Sequence, residues 1–170
     1  MQSLIRFFFE LCLLRRAPQD LPGSSTLLGL VLVVDLLVGM LLATSAGLSP
    51  GLGLVQSLVD LFFMLALLYG ALYLLDRVAR FLQAATALLG SGALLGLIGV
   101  VPLSMAPAPD AAEQPAMAVL LFLVLVAWSV LVMGHILRHT FDLRLGQGTA
   151  IAVAYTLLAY SLVGGLFSGS

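Results

Sequence analysis

Five long apolar segments dominate the sequence and restrict it to one class of fold. A helix needs roughly 20 mostly apolar residues to cross about 30 Å of hydrocarbon, because it rises about 1.5 Å per residue. Five segments reach that length, at about residues 26–47, 54–75, 81–102, 116–137 and 148–167. We therefore predict an all-α, polytopic membrane protein with five transmembrane helices and a short N-terminal amphipathic helix.

The shortage of charged residues supports the same class and excludes others. Only 9% of the residues are charged and 62% are hydrophobic, whereas a soluble domain carries about 25% charged residues. The seven basic residues are all Arg, and eight residues are acidic. This composition argues against a disordered chain and against a nucleic-acid partner. The single cysteine, Cys12, excludes an intramolecular disulfide and a cysteine-based zinc cluster.

The arginines predict how the helices are oriented. If the chain crosses the membrane five times, all seven fall on one side, namely Arg6, Arg15, Arg16, Arg77, Arg80, Arg138 and Arg144. The loops on the other side hold only Asp110 and Glu113. We term these sides the arginine face and the opposite face. Because positive charge stays cytoplasmic, we predict a cytoplasmic N-terminus and a periplasmic C-terminus. Abundant Leu, Ala, Gly and Arg without Lys indicate a GC-rich bacterial genome, and hence a bacterial inner membrane.

The N-terminal region is apolar but too short to cross a membrane. Arg6 and Glu10 lie on one narrow stripe of a helix, and the two arginines at 15–16 follow it. No small-residue cleavage site appears, which argues against a secretory signal. We predict an interfacial helix with its charges toward water, or one docked on the bundle or a partner. Residues 1–25 would then form this helix and a linker, and residues 26–170 the five-helix domain.

The third apolar segment is rich in small residues that favour close helix packing. Gly92 and Gly96 form a G-x-x-x-G pattern, and Gly99 extends the same face by one turn. Small residues let helix backbones approach closely in lipid, either in a dimer or within one chain. We expect packing within the chain, with this segment as the central helix. Trp128 lies deep in the fourth segment and should fill the bundle, where its indole N–H needs an acceptor.

Two acidic residues lie inside predicted spans and are the main candidates for function. Asp35 falls near the middle of the first span, and Asp60 falls in the second. A charge in hydrocarbon costs roughly 2.5–3.5 kcal/mol on insertion scales, so such residues commonly serve function. One interpretation is a proton or cation relay, and the other is a hydrogen-bonded acid that fixes helix register. The polar side chains expected as partners are Thr44, Ser45, Gln83 and Ser91.

Two histidines end the fourth segment and are weak candidates for metal binding. His135 and His139 are four residues apart, and Asp142 follows on the same face if the helix continues. Alternatively, they complement the helix dipole and the membrane interface. The sequence contains neither a nucleophile elbow nor a phosphate-binding loop. We therefore predict neither enzymatic activity nor a cofactor.

Three stretches of the sequence resemble the Yip family of five-span membrane proteins. Residues 20–24, Asp-Leu-Pro-Gly-Ser, resemble the family's Asp-Leu-x-Gly-Pro entry, with Ser24 in place of Pro. The small residues of 80–92 resemble the family's third span, and Trp128 to His135, with 146–150 after it, resembles bacterial members. The resemblance implies five spans with a cytoplasmic N-terminus. Eukaryotic members take part in vesicle trafficking with Rab GTPases through a long N-terminal region, which has no counterpart here, so Rab binding does not carry over.

Two functions follow as expectations from these features. The first is a non-enzymatic accessory or scaffold subunit of a larger membrane assembly. Its partners would be the lipid bilayer and other membrane subunits or further copies of the chain. The alternative is a small proton, ion or solute pathway that uses Asp35 and Asp60.

Overall fold

The computed structural model describes residues 2–105 and 115–167, and their regular structure is entirely helical. These residues form six α-helices: α1 (Gln2–Cys12), α2 (Ser25–Ser45), α3 (Pro50–Leu74), α4 (Phe81–Met105), α5 (Ala116–Phe141) and α6 (Leu145–Phe167). Helices α2 to α6 are long and apolar enough to cross a membrane. The predicted all-α fold with five such helices and a short N-terminal one is confirmed. Asp110 and Glu113 lie outside the described residues.

Several helices extend beyond the apolar segments that predicted them. Helix α3 begins at Pro50, where Ser49 accepts a hydrogen bond from the backbone N–H of Leu52 (3.4 Å). Proline suits this first position, since its missing N–H would be unpaired there anyway. Helix α4 continues through Pro102 to Met105. Apolar length alone does not register a capping residue such as Ser49, so it predicted the start of α3 too late. It also predicted the end of α4 too early.

Helix α4 is the centre of the bundle. Of the most apolar stretch of this span, 56% is buried, against 11–17% in the other four. Helices α2 and α5 pack on its two sides, α3 packs on α2, and α6 packs on α5. Its many Ala and Gly residues allow this crowding, because small side chains let neighbouring backbones come close.

The glycines of α4 face α2 of the same chain. A Cβ added to Gly96 would lie 2.7 Å from Val38 Cγ1, and one on Gly92 would lie 3.3 Å from Asp35 Oδ1. The same face continues to Gly99, where a Cβ would lie 3.6 Å from Leu42. These glycines therefore serve packing within the chain, and α2 covers the face that a dimer would use.

Helix α1 is docked on α4 and α5 by its apolar face. Leu11 is fully buried, and the ring of Phe8 covers Gly90 of α4. Trp128 of α5 donates its indole N–H to the carbonyl oxygen of Cys12 at 3.1 Å. This carbonyl is the acceptor that the indole was expected to need, but Trp128 is 38% exposed and so does not fill the interior of the bundle as predicted. Of the two arrangements predicted for this helix, the structure therefore has it packed against the bundle.

The charged stripe of α1 forms a small ionic cluster on its outer side. Glu10 accepts hydrogen bonds from Arg6 Nε at 3.0 Å and from Arg16 Nε at 2.9 Å. Arg16, and then Arg6, hold the pKa of this carboxyl below its usual range by hydrogen bonding. The cluster is exposed, so it adds little to stability. It orients α1 with its charges away from the bundle.

Candidate functional site

A wide, open cavity of about 690 Å³ lies in the half of the bundle nearer the opposite face. Most of its lining is apolar, and we call it the polar cavity after the acids and other polar groups that it also contains. Helices α2, α3 and α6 form most of its wall, and α4 and α5 complete it. Its polar lining contains two acids together with hydroxyl and amide groups, from Asp35, Gln56, Ser57, Asp60, Tyr155 and Thr156. The cavity thus brings together the two acids that the sequence placed on different helices.

Asp60 is joined to α6 by a tyrosine. The hydroxyl of Tyr155 donates to Asp60 Oδ1 at 3.3 Å. The Tyr155 ring stacks on Phe63, with centroids 5.9 Å apart and planes 22° apart. Since Phe63 lies one turn after Asp60, both contacts link the same face of α3 to α6. They fix the tyrosine ring beside the acid.

Asp35 reaches the cavity from α2 and lies against α4. Its Oδ1 is the nearest atom to the Cβ position of Gly92. A larger residue at Gly92 would therefore compete with the carboxyl group for this space. Within the described residues, no side chain donates a hydrogen bond to Asp35. Its carboxyl group is left to face the cavity.

The side chains expected to partner the two acids bond elsewhere, so that prediction was wrong. Thr44 and Ser45 donate to carbonyl oxygens of their own helix, at Met40 (3.0 Å) and Leu41 (2.8 Å). Ser91 likewise donates to the preceding turn of α4 (2.8 Å). Hydroxyl side chains in helices commonly make such bonds. Gln83 instead holds the linker by donating to the carbonyl of residue 21 at 2.8 Å.

Tyr155 was missed as a site residue, although the sequence contains a signal for it. Tyrosine in membrane proteins is enriched at the two interfaces, where its hydroxyl meets water. Tyr155 instead lies ten residues into α6, or about 15 Å from the start of the helix. A tyrosine at that depth needs a buried hydrogen-bond partner, and the acids of the other spans are candidates.

The chain has no cationic side chain that could balance the acids of the cavity. It contains no Lys, and its arginines and histidines lie in α1, in the segments at the arginine face or in the last two turns of α5. Asp35 and Asp60 lie in the interior of α2 and α3. Asp35 is half-buried and Asp60 is exposed. At the depth of the membrane spans an isolated carboxylate is costly, so a proton or a cation from outside the chain would stabilise each acid.

The two histidines pack against each other, and Nε2 of each ring is engaged within the chain. The rings of His135 and His139 are 4.7 Å apart. His135 Nε2 lies 2.9 Å from the carbonyl oxygen of Arg16, and His139 Nε2 accepts from Arg138 at 3.2 Å. No group of three or more potential metal ligands occurs in the part of the chain that the structure describes.

Asp142 ties two helix ends together at the arginine face. Its carboxyl accepts from Arg77, which follows α3, at 2.6 Å and from Arg80, which precedes α4, at 3.0 Å. Arg80 also donates to the carbonyl of Thr140 at 2.9 Å. Hydrogen bonding to Arg80 is the main reason that the pKa of Asp142 lies below its usual value. The ends of α3, α4 and α5 are thereby joined.

No protein-family model matches the sequence, and no curated protein or solved structure matches it either. The resemblance to the Yip family therefore stays a prediction. Fold class and membrane spans rest on the helices described above, and function has to be argued from the geometry of the cavity.

Proposed function

We propose that this protein is a non-enzymatic multi-pass membrane protein that binds a proton, a small cation or a cationic solute in the polar cavity. The observation that carries the proposal is the meeting of Asp35 and Asp60 on one cavity without a basic residue. A cation supplied from outside the chain would offset the cost of the two charges. Bound protons would do the same.

The other groups of the cavity suit a cation as well. Carboxylate, hydroxyl and amide oxygens are the ligands that hard cations prefer. Ser57 and Gln56 line the cavity one turn before Asp60, on the side of the opposite face. The volume of about 690 Å³ far exceeds the roughly 30 Å³ of one water molecule. A hydrated ion or a small organic ammonium can therefore enter.

The first expectation, an accessory subunit, was based on two features that make contacts within the chain in this structure. The glycine face of α4 is covered by α2, and the buried face of α1 is used against α4 and α5. A partner subunit would have to bind elsewhere on the molecule.

The proposal includes a bacterial inner membrane, with the arginine face toward the cytoplasm. It is supported by the arginines, which stand at the corresponding ends of α3, α4 and α5. Reporter fusions at the C-terminus test this orientation. A periplasmic reporter should be active and a cytoplasmic one silent. The reverse pattern would place the cavity on the cytoplasmic side.

Cation binding is tested with purified protein in lipid nanodiscs. The probes are Na⁺, Rb⁺ and tetramethylammonium, and a weakly buffered solution records any proton that a cation displaces. We expect Asp35→Asn and Asp60→Asn each to weaken binding at least about tenfold, or about 1.4 kcal/mol. Each substitution removes one of the two charges while keeping the size of the side chain.

Asp76→Asn is the matched control, because Asp76 is an exposed acid beyond the end of α3. Its φ of 55° is one that asparagine also adopts. Binding by this variant should equal that of the wild type. If the wild type binds neither protons nor any probe cation, or if all three variants bind equally, the proposal is wrong.

A further inference from the structure

Tyr155 separates two spaces within the bundle. On the side of the opposite face it lines the polar cavity. On the side of the arginine face it lines an apolar crevice of about 250 Å³ between α3, α5 and α6. Tyr155 is the residue shared by these two linings.

The crevice lies beyond the cavity in the direction of the arginine face. Its walls include Met64 and Ala71 of α3, and the latter lies one turn before the end of that helix. They also include Phe141, the last residue of α5. Cavity and crevice together thus extend across most of the length of the spans.

The position of the Tyr155 ring depends on two contacts with α3. Its hydroxyl donates to Asp60, and its ring stacks on Phe63. Both contacts are made at the boundary between the polar cavity and the apolar crevice. The crevice is lined almost wholly by apolar side chains, and such a lining disfavours a hydrated ion. Passage of an ion from the cavity into the crevice is therefore opposed at Tyr155.

We propose that the cavity and the crevice are two halves of one transmembrane route, and that Tyr155 is the barrier between them. This inference rests on the proposed function, because the tyrosine is held by one of the acids that binds the cation. A cation at Asp60 competes with the tyrosine hydroxyl for the same carboxyl oxygen. Cation binding would then favour conformations in which the Tyr155 ring is free to turn, because a ligand shifts a protein toward the conformation that it binds more tightly.

Cysteine accessibility tests the barrier. Two reporters are placed seven residues apart on one face of α3, Ser57→Cys in the cavity and Met64→Cys in the crevice, with Cys12 replaced by Ala. A membrane-impermeant cationic methanethiosulfonate is added from the opposite face. We expect the crevice reporter to react at least about tenfold more slowly than the cavity reporter, because the barrier lies between them.

Removal of the barrier should abolish that difference. In Tyr155→Ala the crevice reporter should react about as fast as the cavity reporter, and Tyr155→Phe, which loses only the hydroxyl, should give an intermediate rate. Tyr160→Ala is the control, because Tyr160 lines the same cavity but is 81% exposed. It should leave the crevice rate unchanged. If Tyr155→Ala fails to fold, Tyr155→Phe and Phe63→Leu, which weakens the stack, carry the test.

Two results would overturn the inference. One is equal reactivity of the two reporters when Tyr155 is intact, and the other is no increase at the crevice reporter in any of these variants. Cysteine labelling needs no bound cation, so it tests the barrier independently of the experiment that tests cation binding. Cation binding without a barrier leaves the proposed function in place and removes the route. A barrier without cation binding removes the proposed function and, with it, a route for cations.

Discussion

The crossing of α5 and α6 offers a direct test of the fold that places Tyr155. Gly134 of α5 lies against the backbone of α6, and Gly148 of α6 lies against the Gly134 carbonyl. A Cβ on Gly134 would lie 2.7 Å from Thr149 Cα and 2.9 Å from its nitrogen. Non-bonded carbon atoms normally approach to about 3.5–4.0 Å. Gly134→Ala must therefore push the helices apart by about 1 Å, because a backbone cannot turn aside as a side chain can.

The expected cost follows from measured effects of overpacking. Inserting a methyl group into a packed interior typically costs about 1–3 kcal/mol. Gly70→Ala in α3 is the matched control, since a Cβ there has nothing within 4 Å. Replacing a helical glycine by alanine without a clash stabilises by roughly 0.5–1 kcal/mol. This gain applies to both helical positions and cancels in the comparison, so the two variants should differ by about 1–3 kcal/mol, or roughly five- to 150-fold in the unfolding constant.

Reversible unfolding in mixed micelles with increasing SDS, followed by far-UV circular dichroism, measures this difference. The midpoint should fall for Gly134→Ala and rise slightly for Gly70→Ala. Equal midpoints would show that α5 and α6 do not cross as closely as the structure has them. In that case the position of Tyr155, six residues after Thr149, would also be in doubt.

Three further predictions concern the arginine face. Burial raises the pKa of the Cys12 thiol to about 11, so about one thiol in a thousand is ionised at pH 8 and alkylation by iodoacetamide should be slow. Gly90→Ala places a Cβ 2.5 Å from Phe8 Cζ; it should loosen α1 and raise that rate, and an unchanged rate would refute this docking. Arg80 lowers the pKa of Asp142. The ion pairs of this carboxylate with Arg77 and Arg80 should therefore persist at a pH equal to its ordinary pKa of 3.8 and be lost only at lower pH, as a carbon NMR titration of the Asp142 carboxyl would record.

Helix number and class could be predicted because the bilayer imposes a length on apolar segments. The ends of the helices were less accessible to this reasoning. Ser49 and Pro50 belong to a Pro/Gly cluster that resembles a turn, yet they cap and begin α3. Asp142 ends α5 in a left-handed conformation, with φ of 56°. Capping depends on single residues, whereas hydropathy averages over about twenty.

The sequence predicted how deep in the membrane the two acids lie, but not which neighbouring helices they face. Counting residues along α2 and α3 placed Asp35 and Asp60 within the membrane, because the rise per residue is nearly constant. Which side of a helix meets which neighbour depends on packing that the count does not contain. Asp60 therefore received Thr44 as an expected partner, although its actual partner, Tyr155, lies 95 positions later in the chain.

The two ends of the bundle are held together differently. At the arginine face, Arg77 links the end of α3 to Asp142 after α5. Toward the opposite face, α3 and α6 are joined by Tyr155, and the polar cavity lies beyond it. Among the residues that the structure describes, the bond between Asp60 and Tyr155 is the one side-chain hydrogen bond that joins α3 to α6, so under the proposed function we expect a ligand at Asp60 to weaken the link between these two helices.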